Sequence, residues 1–272
     1  MIPDSTLAVF IDKPRDEVNR KAKNSTGIVL HTTGANKNDV AAYVKDRTRT
    51  RANVDRRKID YYDNPGANYP HYLIPWEWRP PPIAFQVAPE SDRAWHAGLG
   101  AASLSLYDNG SWMRHHVEGG QLVALEVPYA GYASWRQRWP NVASPVAILA
   151  WHRTRDPNQF IGIEMTQPVN TETSIPIADE QHSSCARLVV DIARRHGIDA
   201  DLTRQMFARK DGGAGWPPVV MAHSDTDPLR RTTKNGGWDP GDSGNFRWDL
   251  FWSCVATWLK PANPTSGLAE AL

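Results

Sequence analysis

Two histidines and one aspartate stand where a chain could assemble a metal site. His31 follows the apolar run GIVL, His223 follows VVMA, and Asp239 lies in the next loop, within WDPG. Gly236, Gly237 and Gly241 give that loop the freedom to fold back on itself. Two imidazoles and a carboxylate are a common donor set for zinc with one position left open. At such a position water ionises near neutral pH. Nine histidines permit many other triplets, however. The spacing alone equally fits histidines that are hydrogen-bonded or at the surface.

Glu164 sharpens the pattern. It sits inside IGIEM, Ile161 to Met165, with apolar residues on both sides. A carboxylate buried there needs a partner, a proton or a site. Water held at a metal would be such a partner, and an arginine would be another; the residues leave both open. A carboxylate facing a site could take a proton from water and later pass it to a leaving amine.

The elements that must hold these groups are short. GIVL, HYLIP (His71 to Pro75), IAFQVA (Ile83 to Ala88), IGIEM and VVMAH read as strands, with IGIEM central and VVMAH last. A helix is expected through VAAYVKDR, capped by Asn38 or Asp39. Cys185, Leu188, Val189 and Ile192 share one face of a helix over Ala178 to Ile198, and Gly197 supplies its stop. Phe246 to Lys260 reads as a closing helix. The expectation is an α/β fold, a central mixed β-sheet flanked by helices. Residues 1–26 read as an arm or short leading element. Residues 27–260 form one catalytic domain, with an insertion around 99–160 packed on the same core, and 261–272 form a frayed tail.

Bulk properties exclude several classes. The chain has 272 residues, 40% hydrophobic and 22% charged, as expected of a globular protein with a real core. A net charge of +1 sets up no global field toward nucleic acid or membrane. The run KDRTRTRANVDRRK, Lys45 to Lys58, is the exception; it reads as a solvated helix end and loop, or as a contact for an anionic polymer. Cys185 and Cys254 cannot form a disulfide framework and read as buried thiols, a single bridge staying open. No apolar run is long enough to span a membrane. The start, MIPDSTLAVFIDKPRDEV, lacks a basic leading region, so the expectation is a product of the cytoplasm without a signal peptide. Most of the twelve tryptophans are expected in cores, while Trp95 and Trp238, beside the motifs above, are placed to stack on a sugar ring.

Other histidines read as bystanders. His115 and His116 are adjacent in HHVE, so a strand would point them to opposite faces, and a polar surface turn is expected. His152, His182 and His196 read as solvated or as partners of a helix dipole. His71 could line a groove or simply pack.

In order along the chain, GIVLHTTG, HYLIP, IAFQVAPESDRAWHAG, IGIEM and AHSDTDPLRR…DPG resemble the zinc-dependent N-acetylmuramoyl-L-alanine amidases of type 2. These belong to the peptidoglycan recognition protein superfamily, together with phage lysozyme-type amidases. The resemblance spans about residues 27 to 258. It implies a mixed sheet with zinc in a groove on one face, His31, His223 and Asp239 as ligands, and Glu164 as the acid that works on water there. It also implies that His96 contacts substrate in the groove. Where the family often carries a lysine two residues before the third ligand, this chain has Gly237; Lys234 is the first replacement for it, with Arg231 and Arg230 as others. Tyr69 stands near the place of a tyrosine found in some members, though Pro70 intervenes. The implied activity is hydrolysis of the bond between N-acetylmuramic acid and L-alanine in peptidoglycan, in a bacteriolytic phage endolysin that reaches the wall after release. A cytosolic wall-recycling amidase and a non-catalytic peptidoglycan-binding module are the alternatives. No nucleic-acid partner and no membrane insertion are expected.

Overall fold

The computed structural model describes residues 3–10, 25–34, 69–76, 83–94, 96–97, 114–126, 160–167, 177–209, 219–227 and 246–260. Six strands form one sheet: β1 (Ala8–Phe10), β2 (Ile28–Gly34), β3 (Tyr72–Ile74), β4 (Ala84–Gln86), β7 (Ile161–Gln167) and β8 (Val220–Ala222). Their order is β1-β4-β3-β7-β2-β8. The β3–β4 pair is antiparallel and the other pairs are parallel, so the sheet is mixed, as the sequence implied. A separate hairpin joins β5 (Arg114–Glu118) to β6 (Gln121–Glu126). Its turn uses Gly119 and Gly120 at φ 58° and 78°, a left-handed pair that only glycine adopts without strain.

The apolar strands β7 and β2 lie inside the sheet, each flanked by a strand on either side. Ile28, Leu30, Ile161, Ile163 and Met165 are buried on one face. Over them lie α1 (Asp179–His196) and α4 (Trp248–Leu259), whose Cys185, Leu188, Val189, Phe251 and Val255 join the same core. Helix α1 starts where the Gln181 side chain accepts from the Ala178 N–H at 3.3 Å. It stops at Gly197, whose φ of 67° turns the chain so that the Ile198 N–H reaches the Ala193 carbonyl at 2.8 Å. Helix α2 (Ala200–Arg209) begins with Asp199 accepting from the Leu202 N–H at 2.9 Å. Its Thr203 hydroxyl accepts from the Val219 N–H at 3.2 Å, which tethers the entry to β8.

The leading residues are woven into this frame. Strand β1 pairs in parallel with β4. Ahead of it, the Asp4 N–H donates to Gln86 at 2.7 Å and the Ser5 hydroxyl donates to Asp191 at 2.7 Å. Both cysteines are free thiols; Cys185 is buried in the core, and that burial pushes its thiol upward. Among the described residues no helix is long and apolar enough to cross a membrane. The helix expected after Asn38, the run Lys45–Lys58 and the tail 261–272 lie outside the described residues, as does most of 99–160.

Candidate functional site

Strand alternation puts the second face of the sheet to different use. In β2 and β7 the residues Val29, His31, Gly162 and Glu164 point away from α1 and α4. Register then sets them in rows. His31 is the partner of Glu164, and Glu164 is the partner of Leu73. Val29 pairs with Met221 and Leu30 with Ala222, so the next step along β2 and β8 sets His31 beside His223. The two imidazole rings are 4.6 Å apart between centroids, close to the strand spacing itself. One row across the sheet therefore reads His223, His31, Glu164, Leu73. His31 and His223 are 5% and 3% exposed, whereas Glu164 is half-buried.

His223 opens a four-residue helix, α3 (His223–Thr226), at the end of β8. The AHSD sequence explains that turn. Asp225 accepts from the Ala222 N–H at 2.9 Å, and the Thr226 hydroxyl donates to the His223 carbonyl at 2.7 Å. Asp225 thus clasps the backbone and fixes where His223 leaves the strand.

The row behind is built on Gly162. Its N–H donates to His71 Nδ1 at 3.0 Å, and its carbonyl accepts the His71 N–H at 3.0 Å. His71 Nε2 in turn donates to the Asp92 carbonyl at 2.9 Å. With Nδ1 accepting, the ring carries a single hydrogen and is neutral, and burial lowers its pKa against pulls from the Asp92 carbonyl and Glu90. On the open side of Gly162 lies the ring of His96. A Cβ at position 162 would come within 2.7 Å of it, so only glycine leaves it room. His96 Nε2 donates to the Phe160 carbonyl at 2.8 Å, and its Nδ1 stands 2.9 Å from His31 Nε2. Burial first, and then the imidazoles of His31 and His71, hold His96 well below the ordinary histidine range.

Several expected site residues come together here and others fall elsewhere. His31, His223 and Glu164 share one row, and His96 abuts it with both ring nitrogens engaged by the protein. Tyr69 packs against the cluster of Leu73 and Val87. Asp239, Lys234, Arg230, Arg231, Trp95 and Trp238 lie outside the described residues. Among the described residues no group of three His, Cys, Asp or Glu side chains is placed to hold a metal. What is present is a pair of converging imidazoles with a carboxylate beside them, and such donors fit a borderline divalent cation. Sequence reasoning passed over Gly162 and left His71 open between packing and a groove. A lone glycine in an otherwise bulky strand was the available signal.

A family model described as N-acetylmuramoyl-L-alanine amidase matches residues 21–242. Among curated proteins none matches. A crystal structure of a selenomethionine AmpD derivative aligns with 94% of this chain and 99% of its own, at 17% identity and a TM-score of 0.43.

Proposed function

The chain belongs to the N-acetylmuramoyl-L-alanine amidase family, and on that premise we propose a zinc-dependent peptidoglycan amidase of the endolysin kind. Its bond is the amide between the lactyl group of N-acetylmuramic acid and L-alanine. The observation that carries the reading is the row His223, His31, Glu164, two imidazoles 4.6 Å apart with a carboxylate at the next strand. His31 and His223 would hold the zinc, with Asp239 as the third donor. Zinc supplies Lewis acidity, which polarises a carbonyl and eases ionisation of water.

Within that frame Glu164 moves the protons. Its carboxylate takes a proton from water as the oxygen attacks the amide carbon. The tetrahedral carbon then expels the amine, and Glu164 returns the proton to the nitrogen of L-alanine. A half-buried carboxylate suits both roles, since it is open to water yet held by its strand. A cation from Lys234, Arg231 or Arg230 would steady the oxyanion. Trp95 and Tyr69 would border the glycan and the first residue of the stem peptide. As an endolysin, the protein would be stored in the cytoplasm of the producing cell and meet the wall after release.

Mass spectrometry of purified sacculi treated with the zinc-loaded protein tests this. The expected products are glycan strands freed of peptide and stem peptides beginning with L-alanine. Cleavage within the glycan, or between amino acids of the stem, would refute the reading. Preference for soluble muropeptides over sacculi would replace the endolysin role with recycling.

A further inference from the structure

The hydrogen bonds around His96 settle where protons sit on its neighbour. A backbone carbonyl can only accept, so His96 Nε2, 2.8 Å from the Phe160 carbonyl, carries a hydrogen. In a neutral ring the other nitrogen, Nδ1, is then an acceptor. The 2.9 Å contact between His96 Nδ1 and His31 Nε2 accordingly takes its hydrogen from His31. With Nε2 protonated, the lone pair of a neutral His31 lies on Nδ1. A metal binds a lone pair, so His31 can offer only Nδ1 while this contact persists.

We propose that His96 is a positioning residue that selects Nδ1 of His31 as the metal-binding nitrogen, and that Gly162 is the gap that admits it. This rests on the zinc reading above and reassigns His96, which the sequence placed against substrate. The arrangement is over-determined in a way a substrate contact does not require. The ring is pinned at both nitrogens, lies edge-on to His31 with planes at 90°, and occupies space that any side chain at 162 would fill. His71, 5.7 Å from His96 between ring centroids, holds the Gly162 peptide from its N–H and its carbonyl. Partners of this kind fix both tautomer and ring orientation in metal-binding histidines, and their loss typically costs about 10–100-fold in metal affinity.

The test begins with the metal-free wild-type protein, labelled with 15N in its histidines. Long-range proton–nitrogen correlation is expected to show His31 protonated at Nε2 and bare at Nδ1. A proton on Nδ1 overturns the proposal without any variant being made. His96→Phe should then give a mixture of His31 tautomers and weaken zinc binding about 10–100-fold, with KM at saturating zinc little changed. His96→Asn, which keeps an acceptor near the place of Nδ1, should restore most of the affinity. Gly162→Ala, which displaces the ring while leaving its chemistry, should resemble His96→Phe. Unchanged zinc affinity in His96→Phe, or a change confined to KM, would return His96 to substrate contact. Failure of the wild-type protein itself to bind zinc would instead sink the amidase mechanism on which the proposal stands.

Discussion

His71 and Tyr72 are neighbours in sequence, yet they feed two buried polar clusters of opposite character. Tyr72 points to the helical side, where its hydroxyl donates to Glu90 at 2.6 Å. Arg195 pairs with the same carboxylate, and His196 Nε2 meets it at 2.7 Å. Burial pushes Glu90 upward, but hydrogen bonds from Arg195, His196 and Tyr72 outweigh that and hold it below the usual carboxylate range. His71 points the other way, into a set of imidazoles with His96, His31 and His223. Glu164 stands beside His31 in the adjoining strand. The Glu90 cluster spends its charges on itself and locks the end of α1 to the loop after β4. The histidine cluster gathers neutral donors instead, and His31 and His223 within it are of the type a borderline cation takes. One cluster is closed and serves stability; the other is the one the proposed chemistry would use.

Variants can separate the two. The largest effect is expected from His223→Ala, which should abolish zinc binding and reduce wall digestion to background, read by metal analysis and turbidity clearing. Next comes Glu164→Gln, which should retain zinc while kcat falls about 10²–10⁴-fold. A variant that digests sacculi at the wild-type rate would remove the carboxylate from the scheme.

On the closed side, Glu90→Gln should lower unfolding stability toward the lower end of about 3–5 kcal/mol, because Arg195 is partly solvated. Activity per folded molecule should stay unchanged. The folded pKa of Glu90 is depressed, so its stabilisation is present above the unfolded carboxylate pKa of about 4.3 and is lost as pH falls through the folded value. The gap between wild type and variant in denaturant titrations should therefore close in acid.

His71→Leu should have the smallest effect, about 1–3 kcal/mol, since the Gly162 N–H loses its acceptor. His71 is neutral when folded, whereas the unfolded chain gains a proton below about pH 6.5. The wild type should thus lose stability as pH falls below that value, and the variant should lose less.

Much of this was legible because it is local. Runs such as IVL and IGI announce strands, the period of Cys185, Leu188, Val189 and Ile192 announces a helix, and Gly197 marks its end. His31, His223 and Glu164 were readable from their places at or within apolar strands. What escaped depends on partners distant in sequence. Strand β1 is only three residues long and is held by β4 and by Asp4 and Ser5 contacts far along the chain. HHVE, expected as a surface turn, is a strand of the β5–β6 hairpin, although the glycines of EGGQ signalled the turn beside it. His182, expected to be solvated or a dipole partner, is fully buried. It sits 2.8 Å from the Ala178 carbonyl and accepts the Arg247 N–H at 2.9 Å. His196 likewise finds Glu90, 106 positions away. Helix α2 carries too mixed a pattern to stand out, and tertiary contacts fix it.

Structure determination of the zinc-loaded protein tests the central claim most directly. The account predicts one zinc ion bound by the imidazoles of His31 and His223 and the carboxylate of Asp239, with Glu164 beside it and uncoordinated. Zinc held elsewhere, with those two imidazoles bare, would contradict it.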